Sequence, residues 1–189
     1  MRKNKVEENK PKSLKLIEFL KKFLIAYICL TGLVPVLNWS QDVFGIGNTG
    51  LGTSFTASLS LDILKTLGFG QRVTGWFVDS IGSGIFMIVL ISLHKLLELI
   101  RQGQPFSKAS ISLYEKISRF YLFSIIYEPI SKTAMSFITT WHLPVGQREV
   151  SVTFGTDNIN GILLALCLYL IVFLIKQAHQ ISEEQSMVI

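Results

Sequence analysis

Four stretches of apolar residues, separated by polar segments, dominate the pattern along this chain. A bilayer core about 30 Å thick is crossed by roughly 20 mostly apolar residues in a helix. The apolar windows have about that length and run from Phe19 to Trp39, Trp76 to Leu97, Ile117 to Ile138 and Ile159 to Ala178. They predict four transmembrane helices, over about residues 16–39, 73–100, 109–138 and 159–180.

The two longer connections, residues 40–72 and 139–158, each contain a stretch in which apolar and polar residues alternate. These stretches cover residues 53–61 and 149–154, and such alternation is typical of a half-buried strand. Because an isolated strand exposes unpaired backbone groups, we predict that the two stretches pair with each other outside the membrane. The predicted fold class is an all-α membrane protein with four transmembrane helices and a small external β-sheet formed by the two extracytoplasmic loops. It is a single membrane domain over residues 1–189.

The composition leaves little material outside the membrane. Of the 189 residues, 49% are hydrophobic and 16% are charged, and the mean hydropathy is +0.45. What remains beside four spans is too short to bury a separate soluble core. The two cysteines, Cys29 and Cys167, lie in different predicted spans, so we expect neither a disulfide framework nor a metal cluster.

Lysine and arginine residues are distributed unevenly between the two sides of the predicted helices. Outside the spans, fourteen of them lie in the N-terminal arm, between the second and third spans or in the tail, and three lie in the two external loops. Positive residues accumulate on the cytoplasmic side of a membrane. We therefore predict a bacterial inner-membrane protein with residues 1–15 as a basic cytoplasmic arm and both termini in the cytoplasm. The first span exits at Trp39 without a small-residue cleavage site, which favours an uncleaved helix over a secretory signal.

The third span carries charged residues at membrane depth. Glu128 lies about 11 residues, or roughly 16 Å, inside the span, and Lys132 follows at the i+4 position that favours a pair. Pro129 between them predicts a kink. Asp79 on the second span lies near enough in depth to share Lys132. This candidate intramembrane polar site is either an internal ion pair that orders the helices or a proton relay or ligand contact.

No pattern typical of a catalytic or metal site occurs in the sequence. The three histidines fall in separate segments, and there is no HExxH, GxSxG or Walker A sequence. The stretch Gly45–Gly50 matches GxGxxG, but dinucleotide binding requires this motif to follow a strand and open a helix. Here it follows a membrane helix. We expect a non-enzymatic protein with no catalytic residues, no cofactor and no metal.

A polar turn joins the second and third spans and contains Gly103, Pro105, Phe106 and Ser107. Pro105 suits the first position of a helix, because proline lacks an N–H and the N–H at that position has no partner within the helix. Alternatively, Ser107 is the N-cap of the third helix. Phe106 is expected to fold back on the apolar ends of the two helices. The turn is a candidate cytoplasmic site, stabilised either for packing alone or for docking of another protein.

The sequence Gly103-Gln-Pro-Phe-Ser107, followed by Leu113 and Ile117, and the ending at residues 178–189 resemble the bacterial inner-membrane proteins of the DUF2975 family (domain of unknown function). The resemblance covers the whole chain in the number and spacing of spans. It implies a four-helix membrane protein of unassigned function. Members are often encoded beside small helix-turn-helix transcription regulators, which implies a membrane partner for such a regulator.

The leading hypothesis is a non-enzymatic integral membrane protein that acts as a sensor or as the membrane partner of a helix-turn-helix regulator. Its expected partners are the lipid bilayer and a protein on the cytoplasmic side, without direct binding of nucleic acid. The alternative is a small transporter or accessory membrane subunit that uses the region of Glu128 and Lys132.

Overall fold

Four long helices make up the computed structural model, which describes residues 12–40, 65–148, 150–152 and 154–187. They are α1 (Lys12–Trp39), α2 (Phe69–Arg101), α3 (Lys108–Thr140) and α4 (Thr156–Met187). Helices α2 and α3 have 33 residues each, or about 50 Å at 1.5 Å per residue, so both are longer than a bilayer core is thick. The end that holds the α2–α3 connection is termed the turn end, and the opposite end the loop end.

The helices pack in the order of the chain, with α1 on α2, α2 on α3 and α3 on α4. Toward the turn end, one ion pair joins Lys21 of α1 to Glu98 of α2, and another joins Glu115 of α3 to Lys176 of α4. Consecutive helices run in opposite directions. The result is a row of antiparallel helices in which α2 and α3 hold the central positions.

Buried positions recur every seven residues along three of the helices. They are Gly75, Gly82, Val89 and Leu96 on α2, Ser124, Ser131 and Ile138 on α3, and Asn158, Ala165 and Val172 on α4. A seven-residue repeat keeps one face of a helix toward its neighbour, and small residues let two backbones approach closely. The hydroxyls of Ser124 and Ser131 donate to carbonyls of their own helix, at 2.7 and 2.8 Å, so these donors are satisfied although the serines are buried.

Three of the described helices are long and apolar enough to cross a membrane: α1 from Leu14, α2 over its full length, and α4 from Asn158 to Ile181. The chain is therefore a membrane protein. Helix α3 has the length of α2 but is more polar, because serines line its buried face and charged residues occupy several positions along it. The prediction of four helices is confirmed, but only three of the four are apolar enough to be candidate membrane spans.

The external β-sheet that the sequence predicts is absent from the described residues, which contain no strand. Residues 53–61 lie outside the described residues, as does the glycine stretch 45–50. The described residues of the second stretch, 150–152 and 154, are irregular. The fold-class prediction is wrong on this point.

Contacts with α3 replace strand pairing in the second stretch. The Ser151 N–H donates to the Ser136 hydroxyl of α3 at 3.0 Å. Val152 lies in a groove on the same helix beside Ile130 and Ala134. The Ser151 backbone and the Val152 side chain therefore lie on the surface of α3, with no partner strand in the described residues.

Candidate functional site

The charged pair on α3 is present in the structure. Lys132 Nζ donates to Glu128 Oε1 at 2.7 Å across one helical turn. The glutamate side chain is 12% exposed and the lysine side chain 40% exposed. Glu128 lies one turn from the buried Ser124 and Ser131, because residues three and four apart share a helix face. The pair thus has its carboxylate inside the helix row and its ammonium near the surface.

This pair lies on α3 between the surfaces that contact α2 and α4. On one side, the hydroxyl of Tyr127 donates to the backbone carbonyl of Val78 in α2 at 2.8 Å. On the other side, Ile125 packs against Gly161 of α4, where an added Cβ would lie 3.2 Å from Ile125 Cδ1. Lys132 is seven residues after Ile125 and shares its helix face. The pair therefore lies on the side of α3 between its contacts with α2 and with α4.

Asp79 of α2 is almost completely buried, with 1% of its surface exposed. Its Oδ2 accepts a hydrogen bond from Trp39 Nε1 of α1 at 2.6 Å. Its Oδ1 has no hydrogen-bond partner within the described part of the chain. The sequence suggested that Asp79 could share Lys132, but the structure does not bring these two residues together. Lys132 bonds to Glu128, and Asp79 bonds to the indole of Trp39. The three candidate residues form two separate features.

The indole ring of Trp39 lies directly over Gly75. A Cβ added at Gly75 would lie 2.0 Å from Trp39 Cη2, a distance that no side chain tolerates. Gly75 precedes Asp79 by one helical turn, so the same face of α2 provides the space for the ring and the acceptor for its N–H. Sequence reasoning used Trp39 only to mark the exit of the first span. The signal it overlooked is that a buried indole N–H usually has an acceptor.

Apolar residues extend this contact to a third helix. A buried cluster at the loop end contains Trp39, Leu67, Met135 and Ile138, with Val78 packed against it. Trp39 belongs to α1, Leu67 precedes α2, Met135 and Ile138 belong to α3, and Val78 belongs to α2. The loop ends of α1, α2 and α3 are therefore joined around one tryptophan.

At the turn end, hydrogen bonds close the C-terminus of α2. The N–H of Gln104 donates to the carbonyl of Leu99, and the N–H of Gly103 to the carbonyl of Ile100, each at 3.0 Å. Gly103 has a φ of 77°. This is the Schellman arrangement, in which a glycine takes the left-handed position without steric cost.

A serine cap begins α3 immediately afterwards. The Ser107 hydroxyl accepts from the Ser110 N–H at 3.2 Å, and the Ser110 hydroxyl donates to the Gln104 carbonyl at 2.6 Å. Ser107 is thus the N-cap, and Pro105 lies before the helix. Phe106 is 62% exposed, so the expectation that it folds back on the helices is wrong. The caps on both sides fix the backbone of the turn and leave this side chain directed outward.

A cavity of about 440 Å³ lies between the loop ends of α2 and α3. Its lining is mostly apolar and consists of Gly70, Gln71, Thr74, Ile138, Trp141 and His142. Gln71 Nε2 donates to the Ile138 carbonyl at 2.9 Å and lies 3.3 Å from His142 Nδ1. Sequence reasoning did not single out Gln71, because a contact between the ends of two helices leaves no spacing pattern in the chain.

Neither metal ligands nor paired thiols add to these features in the parts of the chain that the structure describes. No group of three or more His, Cys, Asp or Glu side chains is placed there to hold a metal ion. Cys29 and Cys167 are free thiols on exposed surfaces of α1 and α4. The features described above are polar contacts that join helices, a turn that is fixed by caps, and the cavity at the loop end.

Comparison with known proteins gives a family and no activity. No curated protein and no solved structure matches the chain. The model of the family described as "Protein of unknown function (DUF2975)" matches residues 70–189, which include α2, the turn, α3 and α4 and leave out α1. The match covers more than half of the chain and confirms the resemblance seen at the turn and at the C-terminal end. The chain therefore belongs to the DUF2975 family of proteins of unknown function.

Proposed function

We propose that this protein is a non-enzymatic protein of the bacterial inner membrane that binds a cytoplasmic protein partner at its α2–α3 turn. The proposed partner is a small helix-turn-helix transcription regulator. The observation that carries the proposal is the exposed Phe106 on a turn that is capped on both sides. In this role the helix row holds the turn at the membrane surface, and the partner is recruited there.

Tryptophan positions and charge support a cytoplasmic location for the turn. Tryptophan concentrates at membrane interfaces, and Trp76 lies near the loop end of α2. From Trp76, about 20 residues of α2 cross the core, so the last turn of the helix and the α2–α3 connection project beyond it. The excess of lysine and arginine near the turn supports the cytoplasmic side, with both termini on that side as well. Reporter fusions at Gln104 and Thr156 test this: cytoplasmic and external signals respectively are expected, and an external signal at Gln104 would refute the orientation.

Phe106 has the properties of an interface anchor. Aromatic residues dominate the binding energy of many protein interfaces, and most of the Phe106 surface is exposed. The Schellman and N-cap hydrogen bonds hold its backbone before any partner arrives, which lowers the entropy lost on binding.

Capture from gently solubilised membranes tests the proposal. Full-length protein is purified by affinity, and co-purifying proteins are identified by mass spectrometry. A DNA-binding regulator is expected with the wild type. The affinity of that purified regulator is then measured for wild type and for Phe106→Ala, and a loss of about tenfold or more is expected if Phe106 is the anchor.

Val145→Ala is the matched control. Val145 is also a highly exposed apolar residue in a connection, but it lies at the loop end of α3. The control should keep full affinity, and neither substitution should change thermal stability by much, because both side chains are exposed. Equal affinity of the wild type and Phe106→Ala for the regulator would refute docking at the turn.

A second candidate function, a small transporter or an accessory transport subunit, is favoured by the charged pair on α3. The Lys132 side chain is 40% exposed, and a charge at membrane depth is costly unless water or protein contacts it. Water or a ligand at this side chain would meet that need. A variant with both Glu128→Gln and Lys132→Met that folds stably yet loses a transport activity would favour this candidate over the first.

A further inference from the structure

The Gln71 side chain connects the first turn of α2 to the last turn of α3. Its Oε1 accepts from the Gly68 N–H at 2.9 Å, and its Nε2 donates to the Ile138 carbonyl at 2.9 Å. These two bonds fix the orientation of the amide. If the amide oxygen and nitrogen were exchanged, the NH₂ group would face the Gly68 N–H, and the amide oxygen would face the Ile138 carbonyl oxygen. Neither contact could be a hydrogen bond.

The fixed amide in turn fixes the role of His142. The second hydrogen of Gln71 Nε2 faces His142 Nδ1 at 3.3 Å. An amide nitrogen only donates, so this imidazole nitrogen has to be the acceptor and to carry no proton. A doubly protonated imidazole has donors on both nitrogens and no acceptor. The contact therefore exists only with a neutral His142.

We propose that the contact of His142 with Gln71 is a proton-sensitive latch between α2 and α3, located beside the cavity at the loop end. The latch is closed when His142 is neutral and opens when it is protonated. Since the closed arrangement binds no proton at Nδ1, acid shifts the equilibrium toward the open one. The contact thus couples the arrangement of the loop end to the acidity of the compartment that it faces.

The charged groups on the surrounding elements are engaged elsewhere or are exposed. Arg72 Nε of α2 donates to the Leu67 carbonyl, and Arg148 Nε, beyond α3, donates to the Leu143 carbonyl. Asp79 bonds to the Trp39 indole, and Lys65 is exposed before α2. In the described residues, no carboxylate contacts His142 to hold a proton on it.

Opening the latch moves the exposed His142 ring, because Gln71 keeps its bonds to the Gly68 N–H and the Ile138 carbonyl. The segment that follows α3 then loses its side-chain contact with α2. Gln71 and His142 also line the cavity of about 440 Å³, so the same event widens or reshapes it. This inference concerns the loop end and stands independently of partner binding at the turn end.

Distances between spin labels in the full-length protein test the latch. Phe69 and Val145 are 84% and 91% exposed and flank it on α2 and after α3. Both are changed to Cys for labelling, with Cys29→Ser and Cys167→Ser in the background, and the protein is placed in lipid nanodiscs. At about pH 8 one narrow distance is expected, and at about pH 5 a second, longer distance grows in. The ratio of open to closed should change by at most about tenfold per pH unit, because one proton is involved.

Two variants separate the latch from other effects of acid. His142→Asn places a side-chain oxygen that accepts but does not titrate where Nδ1 lies, and should give the narrow distance at both pH values. Gln71→Ala removes the partner and should give the broad distribution at both. The inference is overturned if the wild type does not respond to pH, if His142→Asn still responds, or if the response is steeper than one proton allows.

Discussion

Replacing Gly75 by alanine should disrupt the contact that joins α1 to α2. The new Cβ would lie 2.0 Å from Trp39 Cη2, whereas ordinary contacts begin near 3.4 Å, so the ring has to move by at least about 1.4 Å. The indole N–H now donates to Asp79 Oδ2 at 2.6 Å. A displacement of that size takes the N–H out of hydrogen-bond range and leaves a buried carboxyl without its donor.

The expected loss of stability combines three terms. Overpacking of a filled site costs about 1–3 kcal/mol. Loss of a hydrogen bond to a buried polar group costs about 1–3 kcal/mol. The higher helix propensity of alanine offsets about 1 kcal/mol. The free energy of unfolding should therefore fall by about 1–5 kcal/mol in total.

Unfolding in mixed micelles of mild detergent and sodium dodecyl sulfate, followed by tryptophan fluorescence and circular dichroism, measures this loss. Gly84→Ala is the control on the same helix, because a Cβ at Gly84 meets nothing within 4 Å. That variant should be as stable as the wild type or more stable by up to about 1 kcal/mol. A general effect of glycine replacement in α2 would affect both variants.

A double-mutant cycle identifies the ring as the cause. In a Trp39→Leu background the clash is absent, so Gly75→Ala should have little further cost there. If Gly75→Ala costs the same with and without the tryptophan, or no more than Gly84→Ala does, the close packing of Trp39 on Gly75 does not hold the two helices together.

Two further predictions concern the charged pair and the turn. Lys132→Met should lower the free energy of unfolding by about 1–3 kcal/mol, because it leaves the largely buried Glu128 without its donor; Glu128→Gln should cost about 1 kcal/mol or less, because the lysine is partly exposed. The double change should be less harmful than Lys132→Met alone, and additive losses in this cycle would mean that the two groups do not interact. Gly103→Ala should cost about 1 kcal/mol, because alanine is strained at a φ of 77°, and the same loss from Ala at Gly84 would argue against a turn-specific effect.

Features set by neighbours along the chain could be predicted from the sequence. Residues four apart on a helix always lie close together, so the pairing of Glu128 with Lys132 followed once the segment was recognised as helical. The sequence offered two starts for the third helix, at Pro105 or with Ser107 as the alternative N-cap, and the structure has the second, because capping depends on local backbone geometry. The apolar lengths of α1, α2 and α4 indicated a membrane protein by the same kind of local rule.

Features set by contacts between distant segments could not be predicted in this way. Their similar depth in the membrane made Lys132 a plausible partner for Asp79. The actual partner depends on the helix that lies against this face of α2, and that helix is α1, which provides Trp39. The alternation in residues 149–154 is compatible with a strand or with a segment lying on a helix. Only the position of α3, with the Ser136 hydroxyl facing the Ser151 N–H, selects the second.

The sequence by itself determined where four helices form and that three of them are apolar enough to cross a membrane, because propensity and hydrophobic length act within a few residues of chain. The tertiary structure alone decided the order of the helix row, the seat of Trp39 on Gly75 and the contact of Gln71 with His142. These depend on which faces meet across 40 to 71 residues of sequence. Several helix faces have similar polarity, so the fit of their shapes decides which of them pack together. That fit depends on both surfaces and cannot be read from one segment of the sequence.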